Sequence, residues 1–200
     1  MKKPRDIGKS IYKPGTLGSS GYPGLANTAH LIAEYIPKCK IFVEVFAGMG
    51  RVAPHVKADQ YVFNDMSDYA IEKLKGKYPN HTVVKGDFMD CIMKYDAPGT
   101  FLFMDPPWSK GIYEENNKTF CDRTAVKYYE DILEVIPSLK SDWFLCSDVK
   151  EKEIKKIMSK SGYPIKDIMS RKKLMGGYIG TKVLANKEFV RYNQADLFSF

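Results

Sequence analysis

The chain has 200 residues, of which 44% are hydrophobic and 28% charged, a composition that suits one globular domain with a sizeable core. It contains no apolar run near the roughly 20 residues of a membrane span, which argues against a membrane protein. The four cysteines form no Cys-x-x-Cys pair and no signal-peptide core is visible, so we expect a cytoplasmic chain with reduced thiols. The net charge of +7 is compatible with a polyanionic partner, and equally with an ordinary basic surface.

The predicted elements begin after an arm. Residues 1–24 are basic and rich in Gly, Pro and Ser, which predicts irregular structure. A helix is predicted from about Asn27 and ends at Pro37. The segment KIFVEVF is rich in β-formers and leads into AGMG, so it predicts the first strand. We assign residues 25–190 to one domain and residues 191–200 to a tail.

Short apolar strands and amphipathic helices then alternate. The predicted strands are YVFN, TVVKG, TFLFM and DWFLCS. The helices that follow them are MSDYAIEKLKG, FMDCIMKY, AVKYYEDILEVI and KEKEIKKIMSK. This alternation is typical of right-handed βαβ crossovers and a parallel sheet. The last predicted strands, YPIKDIMSR and YIGTKVLAN, have no helix between them and predict an antiparallel hairpin that closes the sheet.

Parallel sheets bind ligands at the carboxyl ends of their strands, so those ends hold the first candidates for a site. The first strand ends in EVFAGMGR, where Gly48 and Gly50 let backbone approach a ligand and the following helix offers N–H groups. Two other interpretations stay open. GMGRVA also fits the G-x-G-x-x-A form of a nicotinamide fingerprint, and glycines after a strand often serve only the turn.

The next two strand ends are acidic. Asp65 lies where a carboxylate can accept hydrogen bonds from ribose hydroxyl groups, although an aspartate there can equally cap a helix. Asp87 offers an acceptor for an adenine amino group, and Phe88 offers a face for the ring. Together, the three strand ends predict a site for an adenosine-shaped ligand.

The fourth strand runs into FLFMDPPWSK. Pro106 and Pro107 fix φ at two successive residues and carry no N–H, so their backbone carbonyls can accept hydrogen bonds from a ligand. Asp105 adds a second acceptor for an exocyclic amine, and Trp108 can stack on the ring that carries the amine. The segment predicts a site for a nucleobase amino group; the alternative is a proline turn with a surface tryptophan.

FAGMG followed by DPPW resembles the amino-methyltransferases that use S-adenosylmethionine, specifically the N6-adenine methylases. The wider series YPGLANTAHLIAEYIP, VEVFAGMG, FNDMSDYAIEKL, GDF and FMDPPW is similar, in the same order, to the Dam-type class of DNA adenine methylases. The resemblance implies an α/β, Rossmann-like class I methyltransferase fold over residues 25–190. It also implies transfer of a methyl group from S-adenosyl-L-methionine to the N6 amino group of adenine in DNA.

The resemblance assigns roles to individual residues. The implied cofactor-binding positions are Tyr22, Pro23, Gly24, Glu44, Phe46, Ala47, Gly48, Gly50, Asn64, Asp65, Asp87 and Phe88. The positions implied to bind a flipped adenine are Asp105, Pro106, Pro107 and Trp108. Positioning and electrostatics would carry most of the rate, without a strong general base. No metal is implied, and His30, His55 and His81 lack the spacing of metal ligands.

Two features depart from the family pattern. The lysine that usually follows the amino-terminal glycine segment is absent, because Leu25 follows Gly24. The family's inserted target-recognition domain is also missing, since only sixteen residues, Met89 to Met104, separate GDF from DPPW. Recognition would therefore be weak, or would come from the loop after DPPW, the basic arm or a partner chain.

The loop SKGIYEENNKTFCDRT carries side chains that suit nucleic acid. Lys110, Lys118 and Arg123 are candidates for phosphate contacts, and Tyr113 or Phe120 for stacking on a base. A plain connection is the alternative for its central part.

Other functions stay open. DPPW also occurs in RNA adenine methylases, and the missing recognition domain removes a DNA-specific element. A nicotinamide dehydrogenase or an inert binding module of the same fold is a further alternative. Cytosine-N4 methylation is disfavoured, because those enzymes typically carry Ser before the two prolines.

The tail contains QADLFSF, in which Gln194, Leu197 and Phe200 stand at the spacing glutamine-x-x-aliphatic-x-x-aromatic. This spacing resembles the segment by which replication proteins dock on a PCNA-type sliding clamp, with Phe198 as a displaced second aromatic. An apolar tail that folds back onto the domain is the alternative.

Overall fold

The computed structural model of the chain describes residues 29–106, 125–147 and 182–186. Six strands run through these residues. They are β1 (Cys39–Glu44), β2 (Ala58–Asp65), β3 (Thr82–Lys85), β4 (Thr100–Met104), β5 (Asp142–Ser147) and β6 (Lys182–Ala185). They form one sheet in the order β3-β2-β1-β4-β5-β6.

The pairing confirms the predicted sheet. Strands β1 to β5 are parallel, and β6 runs antiparallel to β5. The other predicted strand of the closing hairpin, YPIKDIMSR, lies outside the described residues. The strand order reverses at β1, whose neighbours are β2 and β4, and parallel sheets bind ligands at such a point.

The described residues contain four α-helices. They are α1 (Ala29–Ala33), α2 (Asp68–Lys77), α3 (Phe88–Tyr95) and α4 (Ala125–Val135). Ser67 caps α2 by accepting a hydrogen bond from the Ala70 N–H, and Asp87 caps α3 by accepting one from the Met89 N–H. Both helices therefore begin directly after a strand end, at the edge where the site is predicted.

The segment after β1 differs from the prediction. The expected helix is replaced by one 3-10 turn, Ala53–His55, after which Val56 is extended. The Tyr61 hydroxyl donates to the Val56 carbonyl at 2.7 Å and accepts from the Ala58 N–H at 3.1 Å. These bonds hold the chain extended immediately after the turn, so a longer helix cannot form there.

Apolar side chains cover both faces of the sheet, because successive strand residues point to opposite sides. One cluster joins Phe42, Phe63, Phe101, Phe103 and Phe144 to α1 and the 3-10 turn. The other joins Val43, Val62, Leu102, Met104 and Trp143 to α3 and α4. All five residues of β4 are buried, as expected of a central strand. The strand ends therefore rest on a rigid two-sided core.

Candidate functional site

The loop that follows β1 lies between the ends of β2 and β4. Strand β1 pairs with both neighbours up to its last residue, Glu44. Beyond it, the Val45 N–H donates to the Phe103 carbonyl at 2.9 Å, and the Ala47 N–H donates to the Asn64 carbonyl at 2.8 Å. Three of the segments predicted to carry the site are thus adjacent at one edge of the sheet.

The glycine loop, residues 47–50, makes a tight turn. The N–H of its last residue donates to the carbonyl of its first at 2.7 Å. Gly48 has a φ of 51° and Gly50 a φ of 61°, in the left-handed region that favours glycine. A Cβ on Gly50 would lie 2.7 Å from Tyr78 and 2.9 Å from Leu74. Packing against α2 therefore requires glycine at position 50, in addition to the turn.

Glu44 is buried and holds the chain that leaves the loop. Its Oε1 accepts hydrogen bonds from the Val52 N–H at 2.7 Å and the Ala53 N–H at 3.1 Å. Its Oε2 is buried with no partner among the described residues. Burial raises the pKa of Glu44 to about 7; those two bonds and the charge of Lys77 oppose the shift, and the charge of Asp105 adds to it. The sequence predicted that N–H groups after the glycine loop would face a ligand. Those of Val52 and Ala53 are bonded to Glu44 instead.

Asp65 connects the end of β2 to the glycine loop. Its Oδ2 accepts from the Gly48 N–H at 2.8 Å, and its Oδ1 accepts from the Ser67 N–H at 2.8 Å. Burial raises the pKa of Asp65, and the backbone bonds from Ser67, Gly48 and Met66 oppose the rise. The side-chain cap of α2 is Ser67 rather than Asp65. Each carboxylate oxygen can accept two hydrogen bonds, so Asp65 can also accept hydrogen bonds from the hydroxyl groups of a ligand.

Asn64 braces three strand ends. Its Nδ2 donates to the carbonyls of Val45 at 3.0 Å and Gly86 at 3.2 Å. Its Oδ1 is buried and has no hydrogen-bond partner in the described part of the chain. The amide therefore joins the ends of β1, β2 and β3, a bracing role that the sequence did not predict.

The aromatic residues near the end of β3 are arranged differently from the prediction. Phe88, expected to offer its face to a ring, is 1% exposed. Its ring lies 5.1 Å from that of Phe46 and 5.3 Å from that of Tyr128. Phe46 is the partly exposed ring of the three. Asp87 caps α3 through its Oδ1, which accepts from the Met89 N–H at 2.8 Å.

Asp105 and Pro106 directly follow β4, the strand that pairs with β1. Asp105 is partly exposed and Pro106 is buried. The charge of Asp105 raises the pKa of Glu44, so the two carboxyl groups at the ends of adjacent strands interact electrostatically. Pro107 and Trp108 lie outside the described residues, and the amine site they complete stays a prediction.

Two residues that the sequence reasoning missed hold the glycine loop from the end of α2. The Lys77 Nζ lies 3.2 Å from the carbonyl oxygens of both Met49 and Gly50. The Tyr78 hydroxyl donates to the Gly50 carbonyl at 2.6 Å. No local pattern marks this pair, because a lysine and a tyrosine at a helix end are ordinary until the loop is placed against them.

The other predicted residues lie outside the described part of the chain. They are Tyr22, Pro23, Gly24, Lys110, Tyr113, Lys118, Phe120, Arg123, Gln194, Leu197 and Phe200. Within residues 29–106, 125–147 and 182–186, no three His, Cys, Asp or Glu side chains gather as metal ligands. The helices in these ranges are too short or too polar to cross a bilayer.

A known family matches the part of the chain that contains the glycine loop. Residues 26–81 match the sequence model of the D12 class N6 adenine-specific DNA methyltransferases. This match confirms the resemblance predicted from the sequence over that segment, which includes Asn64 and Asp65 and ends before Asp87 and Asp105. No curated protein sequence matches the chain.

Solved structures share the fold. SMU.776, described as a methyltransferase and complexed with SAH, has a TM-score of 0.54 and 13% identity, over 81% of this chain and 49% of that one. The M. jannaschii tRNA m1G37 methyltransferase has a TM-score of 0.50 and 17% identity, over 86% and 50% of the two chains. The precorrin 8w decarboxylase of Methanobacterium thermoautotrophicum has a TM-score of 0.50 and 16% identity, over 88% and 90%. The alignments span about half the length of the first two proteins. The fold is the Rossmann-like fold of class I methyltransferases.

Proposed function

We propose that the chain is a methyltransferase that uses S-adenosyl-L-methionine and modifies the N6 amino group of adenine in DNA. The observation that carries this proposal is the adjacency of the glycine loop, the Asp65 carboxylate and Asp105 at the ends of β1, β2 and β4. The first two suit the adenosine part of the cofactor, and the third suits an amine beside it. The match of residues 26–81 to an adenine-specific family supports adenine as the target.

The described residues suit the cofactor in two ways. Asp65 is held by the Gly48 N–H at 2.8 Å, so its remaining acceptor sites are oriented before ribose hydroxyl groups arrive. Phe46 is a partly exposed ring on a buried aromatic support, which suits a flat heterocycle. When bound, S-adenosylmethionine supplies a methyl group on a positively charged sulfur.

The Asp105 carboxylate and the Pro106 carbonyl would accept hydrogen bonds from the two N–H groups of the target amine. With both hydrogens held, the nitrogen lone pair would be oriented toward the cofactor-binding edge of the sheet. Transfer would form the nitrogen–carbon bond at the expense of the carbon–sulfur bond of the cofactor, and the nitrogen would then release one proton to solvent. Orientation and fixed acceptors supply the rate enhancement, and Trp108 would hold the base by stacking.

RNA is the second candidate substrate. The specific observation that favours it is the short connection of sixteen residues between GDF and DPPW, which leaves no inserted DNA-recognition domain. The net charge of +7 suits either polymer.

Analysis of the product nucleosides separates these substrates. The chain is incubated with methyl-labelled cofactor and either duplex DNA or RNA, and each polymer is then digested to nucleosides. We expect label in N6-methyldeoxyadenosine. Label in RNA alone, or in N4-methyldeoxycytidine, would contradict the proposed substrate.

A further inference from the structure

The end of α2 holds the glycine loop on the side of the loop that packs against the fold. Three hydrogen bonds make this connection: two from the Lys77 ammonium to the Met49 and Gly50 carbonyls at 3.2 Å, and one from the Tyr78 hydroxyl to the Gly50 carbonyl at 2.6 Å. Both loop carbonyls are thus directed toward α2. A loop held only by its N–H groups could rotate these peptide planes, so the pair restricts the loop conformation.

The Tyr78 ring is itself held in place by packing. It stacks on Phe63, the last apolar residue of β2, with a centroid distance of 4.4 Å and an interplanar angle of 13°. The Lys77 Nζ lies 4.7 Å from the Tyr78 ring centroid. Gly50 packs against this ring so closely that a Cβ would overlap it. The hydroxyl therefore reaches the loop from a rigid support.

Burial and the charge of Glu44 act on the pKa of both side chains. Burial and the charge of Glu44 raise the pKa of Tyr78, so its hydroxyl stays protonated. Partial burial and the charge of Arg51 lower the pKa of Lys77, and the charge of Glu44 opposes that change. In return, Lys77 lowers the pKa of Glu44, which holds the residues after the loop, whereas Asp105 raises it. The charged groups on both sides of the glycine loop are thus coupled.

We propose that Lys77 and Tyr78 are positioning residues that hold the glycine loop in the conformation that binds the cofactor. They act through the loop backbone, because their donor atoms are bonded to the carbonyls of Met49 and Gly50. On the opposite side of this connection, the Gly48 N–H is bonded to Asp65 at 2.8 Å, so the loop is fixed from two directions. This inference rests on the proposed function, because it concerns the binding of S-adenosylmethionine.

The first test measures cofactor affinity by calorimetry, with S-adenosylmethionine as the probe. Tyr78→Phe removes one hydrogen bond and keeps the stacked ring, so we expect about fivefold weaker binding. Lys77→Met removes charged donors and should weaken binding about tenfold, whereas Lys77→Arg keeps the charge and should largely restore it. Lys75→Met removes the same charge from an exposed position on α2 and should have no effect. At saturating cofactor, kcat should be unchanged in every variant.

A second measurement follows the loop without the cofactor. Amide hydrogen exchange of residues 45–53 should become faster in Tyr78→Phe and Lys77→Met, and should be unchanged in Lys75→Met. If the wild-type chain binds cofactor and the variants bind it equally tightly, the positioning role is wrong and the proposed function stands. If the wild-type chain does not bind S-adenosylmethionine, the proposed function is wrong and this inference fails with it.

Discussion

Glu44 illustrates how one buried side chain connects the core to the site. It is 2% exposed, and only its Oε1 has hydrogen-bond partners in the described residues. Its pKa rises from an ordinary 4.5 to about 7, because burial disfavours the charged form. Between about pH 4.5 and pH 7, the folded chain therefore keeps a proton on Glu44 that the unfolded chain has released. This contribution to stability is complete below about pH 4.5 and is lost as the pH rises through about 7.

We predict that Glu44→Gln removes this pH dependence. Gln keeps an acceptor for the Val52 and Ala53 N–H groups and carries no charge. Relative to the wild type, its free energy of unfolding should rise by about 3 kcal/mol between pH 4.5 and about pH 8. Urea denaturation across this range measures the difference, and any fixed cost of the buried amide leaves the slope unchanged. Glu72→Gln, at an exposed position on α2, is the control. A constant difference between Glu44→Gln and wild type across this range would show that Glu44 does not titrate there.

Asp65 should contribute to cofactor affinity in two ways. Its carboxylate holds the Gly48 N–H, and under the proposed function it also accepts from ribose hydroxyl groups. We therefore predict that Asp65→Ala weakens S-adenosylmethionine binding by at least about tenfold, as expected when charged hydrogen bonds are lost. Ser67→Ala removes the neighbouring cap of α2, which costs about 1 kcal/mol of stability and leaves the affinity unchanged. Equal affinities for Asp65→Ala and wild type would restrict Asp65 to a structural role.

Asp105 should act on the acceptor base rather than on the cofactor. We predict that Asp105→Ala lowers methyl transfer by about 100-fold or more, because it removes a fixed acceptor for the target amine. The affinity for S-adenosylmethionine should stay close to that of the wild type in calorimetry. Asp90→Ala, at an exposed position on α3, controls for the loss of one negative charge. A large loss of cofactor affinity in Asp105→Ala would place this residue in the cofactor site instead.

At the scale of elements, the glycine loop and α2 behave as one packed unit. Gly50→Ala would place a Cβ 2.7 Å from Tyr78 at a φ of 61°, so we predict a loss of about 2–4 kcal/mol in stability. Gly76 lies inside α2, and a Cβ there meets nothing within 4 Å. Gly76→Ala should therefore stabilise the chain by about 0.5–1 kcal/mol through helix propensity. The melting temperatures of Gly50→Ala and Gly76→Ala test the model of a packed unit. The model would be wrong if both substitutions raised the melting temperature, or if both lowered it.

The strands were predictable because each is a short apolar run between turn residues. Predicted and observed strands overlap at β1 to β3 and coincide at β4 and β5. The helices that follow Ser67 and Asp87 are capped by these two side chains. The 3-10 turn after the glycine loop was not predictable in this way. It depends on the Tyr61 hydroxyl, which bonds to Val56 and Ala58 only once β2 is in place.

The candidate site also has a part that the sequence predicts and a part that depends on tertiary packing. Gly48, Asp65 and Asp105 were correctly expected at one edge, because the carboxyl ends of parallel strands meet there. The exposure of Phe46 in place of Phe88 depends on how three rings pack, and no sequence period encodes that. The contacts of Lys77 likewise depend on tertiary structure.

At the scale of the whole molecule, the short connection between α3 and β4 constrains target recognition. Only residues 96–99 separate the two elements, so nothing in this part of the chain can reach along a nucleic acid. Under the proposed function, contacts with DNA would come from the basic arm, the loop with Lys110, Lys118 and Arg123, or a partner chain. Weak intrinsic recognition would make tethering to DNA valuable.

We propose that the tail, residues 191–200, supplies such tethering by docking on a PCNA-type sliding clamp. Gln194, Leu197 and Phe200 have the spacing of a clamp-binding segment, and this resemblance supports the proposal. The segment lies outside the described residues. A clamp that encircles DNA raises the effective concentration of duplex at the active site without any added base contact.

Deletion of residues 194–200 tests this proposal. The truncated chain should keep its melting temperature and its activity on short DNA, because the last strand of the described sheet ends at Ala185, before the deleted segment. Binding to the sliding clamp of the same host should be lost in calorimetry, whereas Ser199→Ala, which lies between the motif positions, should leave it intact. If the intact chain does not bind the clamp, or if the truncated chain unfolds, the tail has a structural role. In that event, recognition must come from the arm, the loop or a partner chain.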